Sequence, residues 1–136
     1  MHFWDGWPVE RLLYLFVGVA YIMMWIQLTL FHWRGGFHHK VMWGPVIYTP
    51  IAFIITLLVV FMRGNLLDTV FVVVLAVAVL VGMIGVFFHF RGIGSQVGGM
   101  TLRNLMAGPP PILPMMYMAM GAIGLLVYYW QPAPTL

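Results

Sequence analysis

Four uninterrupted apolar runs constrain this chain more than any motif in it: Leu12–Trp33, Pro45–Met62, Leu66–Phe90 and Pro109–Trp130. A helix rises 1.5 Å per residue, so about 20 apolar residues cross the ~30 Å hydrocarbon layer of a bilayer. Strands of this length would leave backbone groups unpaired in lipid, whereas a helix pairs its own. The runs therefore predict an all-α integral membrane protein with four transmembrane helices. Composition agrees: 63% of the 136 residues are hydrophobic and 7% charged, too little charge to cover a water-soluble domain. The whole chain, 1–136, is expected to form one four-helix transmembrane domain. Asp5 and Glu10 stand where a cleaved leader would carry basic residues, so the first run is read as a permanent helix.

Cysteine is absent, which excludes disulfides, thiolate metal sites and iron–sulfur clusters. Six basic residues against three acidic ones is too thin a charge for nucleic acid and speaks to topology instead. Arg34, Lys40, Arg91 and Arg103 occupy the links after the first and third runs, with no acid beside them. The positive-inside rule then places both links in the cytoplasm and both termini outside a plasma (inner) membrane. Glu10 and Asp68 lie near helix starts and no acid lies mid-run, so an ion-coupled carrier lacks its usual buried carboxylate. No nucleophile–base pair or phosphate loop is present, and no enzyme activity is expected.

The third run ends as the first does. Phe31-His32-Trp33-Arg34-Gly35 matches Phe88-His89-Phe90-Arg91-Gly92 at an offset of 57 residues (Phe31 to Phe88). Further on, His39 to Pro45 matches Arg103 to Pro109 at an offset of 64, ending in Met-x-Gly-Pro both times. Pro50 and Pro114 follow five residues later. This order predicts a duplicated helical hairpin, about 8–62 and about 66–130, with a seven-residue insertion in the second copy. Two copies that each cross twice share one orientation, giving a parallel repeat.

Proline opens the second and fourth helices at no hydrogen-bond cost, since the first N–H groups of a helix have no intrahelical partner. Pro50 and Pro114 are expected deeper, each bending its helix and freeing the carbonyl four residues back, Val46 and Pro110. Met100–Ala107 is expected as a short interfacial segment, capped by Thr101 and stopped by Gly108. Gln27, Thr29, Thr49 and Thr56 supply the hydroxyls and amide for interhelical hydrogen bonds.

Counting back from His32 by three or four gives Leu28, Trp25, Tyr21, Gly18 and Tyr14; from His89 the same count gives Gly85, Gly82, Ala78, Leu75 and Phe71. One stripe is bulky and the other small, which predicts that helices one and three pack centrally, Trp25 and Tyr21 over Gly82 and Ala78. Alternatively, a flat cofactor fills that small-residue groove.

His32 and His89 could ligate a tetrapyrrole, haem b or a chlorophyll type, with Arg34 and Arg91 pairing to propionates. The bland reading is an interfacial histidine followed by an arginine that snorkels to phosphates. His32, His38 and His39 could form a surface metal site, and Met23, Met24, Met115, Met116, Met118 and Met120 a copper site, although packing explains the methionines better. The leading expectation is a non-catalytic subunit that binds no cofactor. It would anchor or brace a larger membrane complex, respiratory or photosynthetic, with the bilayer and that complex as partners. An electron-transfer subunit carrying the tetrapyrrole is second, and a small oligomeric channel or carrier third.

Overall fold

The computed structural model describes residues 2–130. A two-residue strand β1 (His2–Phe3) precedes the long helix α1 (Val9–Arg34). A 3-10 turn (Lys40–Met42) leads into α2 (Trp43–Phe61), followed by strand β2 (Met62–Arg63) and α3 (Asn65–Gln96). The short α4 (Leu102–Ala107) and then α5 (Ile112–Tyr129) complete the chain. Lys40–Phe61 counts as one span, and with α1, α3 and α5 it makes four helical segments long and apolar enough to cross a membrane.

The four long helices form a ring. α1 packs most heavily on α2 and α3 on α5, while α2–α3 and α1–α5 contacts close the square. α1 and α3 lie across the diagonal, so they are not the central pair that their stripes suggested. Both stripes do face the core: Tyr14, Tyr21, Phe71, Leu75 and Ala78 are fully buried. The small residues of α3, however, receive α5. A Cβ on Gly82 would stand 2.7 Å from Met118 Cβ, and one on Gly85 2.8 Å from Pro114 Cβ. The fit is reciprocal, since Leu75 of α3 occupies the space a side chain at Gly124 would need. Small residues let two membrane helices approach closely, and here they set a tight α3–α5 seam. Met118 and Pro114 fill the groove proposed for a flat cofactor.

The first His-aromatic-Arg-Gly string ends its helix as the sequence reading has it, and the second does not. α1 stops at Arg34, where Gly36 (φ 70°) and Phe37 (φ 46°) turn left-handed and their N–H groups bond the Trp33 and His32 carbonyls. Phe37 tolerates that conformation while stacked on Trp43 at 4.2 Å. The second string does not end its helix: α3 runs through Gly92 to Gln96 because Gly92 and Ile93 are buried. Gly108, after α4, packs on Ile93 and Val97. α4 itself forms as read, Thr101 Oγ1 accepting from the Asn104 N–H at 3.2 Å and Gly108 closing it.

α5 starts at Ile112, three residues later than Pro109. Pro114 thus sits in the first turn, where its missing N–H breaks no intrahelical bond, and only Pro50 is a true mid-helix proline.

Candidate functional site

The polar side chains divide between two ends of the bundle. At the end remote from the termini, His32 and His89 are half-buried, while Arg34 and Arg91 are exposed. His89 Nδ1 lies 2.8 Å from the Pro110 carbonyl oxygen. A carbonyl only accepts, so the His89 Nδ1 carries a proton and donates it to this bond. His32 Nδ1 is buried with no hydrogen-bond partner among the described residues, and its ring leans on Phe37 at 6.2 Å. His38 Nδ1 lies 2.9 Å from the Gly35 carbonyl oxygen and its ring is 4.5 Å from that of His39. No three histidines or carboxylates converge into a metal-sized group among the described residues.

The carbonyl that His89 meets lies just before α5, outside the helix, so the carbonyl expected to be freed by Pro114 is not a helical one. Pro50, inside α2, does leave the Val46 carbonyl without its intrahelical donor, and there Trp25 Nε1 donates to the Val46 oxygen at 2.9 Å. Tyr48 Oη donates to the Val74 oxygen at 2.8 Å, tying α2 to α3. In lipid a freed carbonyl has no water to turn to, so a donor from the neighbouring helix is the available remedy.

A polar layer crosses the middle of the bundle. Thr49 Oγ1 donates to the Pro45 oxygen and lies 3.3 Å from Tyr117 Oη, and the Tyr117 ring meets Tyr21 edge-on at 5.2 Å. Tyr21 Oη, Thr29 Oγ1 and Thr56 Oγ1 are buried without a partner among the described residues. Of the four polar residues expected to link helices, Thr49 does so, while Gln27 is exposed.

The termini end holds the groups that sequence reasoning missed. β1 pairs antiparallel with β2, His2 opposite Arg63. This closes the N-terminus over the end of α2. Trp4 Nε1 donates to the Val59 oxygen at 2.8 Å and Arg11 Nε to the Val60 oxygen at 2.8 Å. Both acceptors belong to the last turn of α2, whose carbonyls have no intrahelical donors. Arg11 Nη1 also donates to the Gly6 oxygen at 2.6 Å, its guanidinium 3.8 Å from the Trp7 ring. Arg63 is buried and pairs bidentately with Asp68, Nε–Oδ1 2.8 Å and Nη2–Oδ2 3.2 Å. Its guanidinium lies 5.1 Å from the Trp4 ring and 5.6 Å from those of Tyr14 and Tyr128. Four elements thus meet at one cation. The only sequence signal was an Arg five residues before an Asp across a tight turn, beside an aromatic-rich N-terminus.

The methionines point in different directions. Met118 seats on Gly82, Met24 is buried, and Met23, Met115 and Met116 face outward. Compared with family models, curated proteins and solved structures, the chain matches none.

Proposed function

We propose that this chain is a non-catalytic membrane subunit that anchors or braces a larger membrane complex. One observation carries the reading: five polar side chains able to do chemistry are spent on backbone. Trp4, Arg11, Trp25, Tyr48 and His89 each bond a main-chain carbonyl of another element, and Arg63 is locked in its own ion pair. The result is a rigid body whose outward surface is a continuous apolar wall, including Phe16, Ile47, Val73 and Leu126. Duplication fits the same picture. Val46 and Pro110 correspond in the two repeats, and each receives a donor from the preceding long helix. The orientation proposed is the one the basic links favour, with the histidine end in the cytoplasm. Mild-detergent extraction followed by native electrophoresis tests the proposal. The expected result is a stoichiometric complex with larger membrane proteins, whereas a stable homo-oligomer alone would sink it.

His89 favours one second reading, an electron-transfer subunit holding a tetrapyrrole between His32 and His89. Metal-ligating histidines commonly donate their other ring N–H to a carbonyl, as His89 does to Pro110. Arg34 and Arg91, exposed at the same end, would meet propionates. A Soret band in the purified protein, lost in both His32→Ala and His89→Ala, supports this reading; a colourless preparation that also fails to take up added haemin removes it.

A further inference from the structure

The histidine end carries four exposed cations, Arg34, Lys40, Arg91 and Arg103. All three acids, Asp5, Glu10 and Asp68, belong to the other end, and the ion pair found among the described residues, Arg63–Asp68, lies there too. No acidic side chain among the described residues neutralises the basic end.

Beside those cations the fold holds an apolar pair outward. Leu102 and Met106, four residues apart and hence on one face of α4, are 76% and 81% exposed. Their exposure is not slack in a loose loop. Thr101 caps α4, Asn104 Nδ2 donates to the Gly99 oxygen at 2.8 Å, and Gly108 backs onto Ile93 of α3 and Val97 just past its end. Ile93 stands about 42 Å along α3 from its first residue, at 1.5 Å per residue. A bilayer with its headgroups is about 40–45 Å thick, so a helix entering at Asn65 delivers α4 to the headgroup layer of the far leaflet. An amphipathic surface at that depth, apolar side chains beside unpaired cations, has the chemistry of an interfacial lipid contact.

The geometry points to an anionic phospholipid leaflet as the partner of this end. Leu102 and Met106 enter the acyl boundary while Arg34, Lys40, Arg91 and Arg103 take the phosphates. Charge complementarity selects anionic over zwitterionic lipid, because each Lys or Arg near the surface gains from the negative potential of such a leaflet. This inference rests on the membrane reading and not on the subunit reading; an isolated homo-oligomer would leave it standing.

The absence of native cysteine makes Met106→Cys a clean site for a spin label. The labelled full chain is placed in phosphatidylcholine nanodiscs, with or without about 30% phosphatidylglycerol. The expected label depth is the headgroup–acyl boundary in the anionic discs and more aqueous in the neutral ones. Native mass spectrometry from mixed discs should show phosphatidylglycerol retained at least about 5-fold over its bulk share. Changing all four cations to Gln should abolish both signals, and exchanging each arginine for lysine should preserve them. Arg103→Gln alone, outside the packed spans, should lower the enrichment about 2-fold or more and covers the case in which the fourfold variant does not fold. No preference between the lipids would overturn the proposal. So would a label that stays aqueous in both discs, as a soluble protein partner would require, or a shift reproduced by inorganic phosphate in neutral discs.

Discussion

His89 Nδ1 donates to the Pro110 carbonyl oxygen at 2.8 Å, tying α3 to the segment that enters α5. In α2, Pro50 leaves the Val46 carbonyl without its intrahelical donor, and there the donor is Trp25. His89 and Trp25 are therefore the donors on which these two carbonyls depend.

Replacing His89 by Ala should expose that dependence. An unpaired buried carbonyl costs about 1–3 kcal/mol, so a clear fall in the thermal midpoint in detergent is expected. Trp25→Phe, which keeps the ring and loses the donor, should cost less, about 0.5–2 kcal/mol. Equal stability of both variants and the parent would show that the carbonyls find other donors.

The α3–α5 seam predicts a sharp contrast between two glycines. Gly82→Ala puts a methyl group against Met118, 2.8 Å from its backbone nitrogen, where no side-chain rotation gives relief. Overpacking of this kind costs about 1–3 kcal/mol. Gly44→Ala meets nothing within 4 Å and should be tolerated. Chemical denaturation in mixed micelles reads both.

Arg63 and Asp68 should behave as a unit. Asp68→Asn leaves a buried guanidinium without its counter-charge, a loss of about 3–5 kcal/mol in comparable buried pairs. The double change Arg63→Met with Asp68→Leu should recover much of that loss, because the Trp4, Tyr14 and Tyr128 rings can pack a neutral side chain. A double variant no better than the single one would locate the damage in the β1–β2 closure instead.

Tyr21→Phe is expected to be neutral or slightly stabilising. The hydroxyl is buried without a hydrogen bond among the described residues, and burying an unpaired hydroxyl is unfavourable. Tyr117→Phe should cost about 0.5–1.5 kcal/mol through the lost Thr49 contact. A strong loss in Tyr21→Phe would mean that the hydroxyl holds a bound molecule.

Topology can be read by labelling. Single cysteines at Lys40 and Arg103 should react with an impermeant maleimide from one side of sealed vesicles, and a cysteine at Asn65 from the other. Labelling of Lys40 and Arg103 from the periplasmic or outer side would reverse the proposed orientation.

Much of the fold was legible along single helices. The stripes Tyr14–Gly18–Tyr21 and Phe71–Leu75–Ala78 were both inward, since a period of 3.6 residues is a local property. Which stripe meets which was not local. The small side of α3 could have received any bulky neighbour, and α5 won it because Gly121 and Gly124 accept Leu75 in return. The His32, His89, Arg34 and Arg91 grouping was readable as one end of the bundle, but the partner of His89 was not, because Pro110 lies outside the helix that carries it. Arg63 escaped notice because its ring neighbours Trp4, Tyr14 and Tyr128 come from three separate stretches of chain.

By itself the sequence determined that four apolar helices form, where basic residues gather, and that Pro50 leaves the Val46 carbonyl without an intrahelical donor. These follow from residue-by-residue hydrophobicity, charge and the missing proline N–H. The tertiary structure alone decided the ring order of the helices, the seating of Met118 on Gly82 and the donors that reach the Val46 and Pro110 carbonyls. Such choices depend on the shapes of two surfaces distant in sequence, and no periodicity within one helix encodes the shape of its partner.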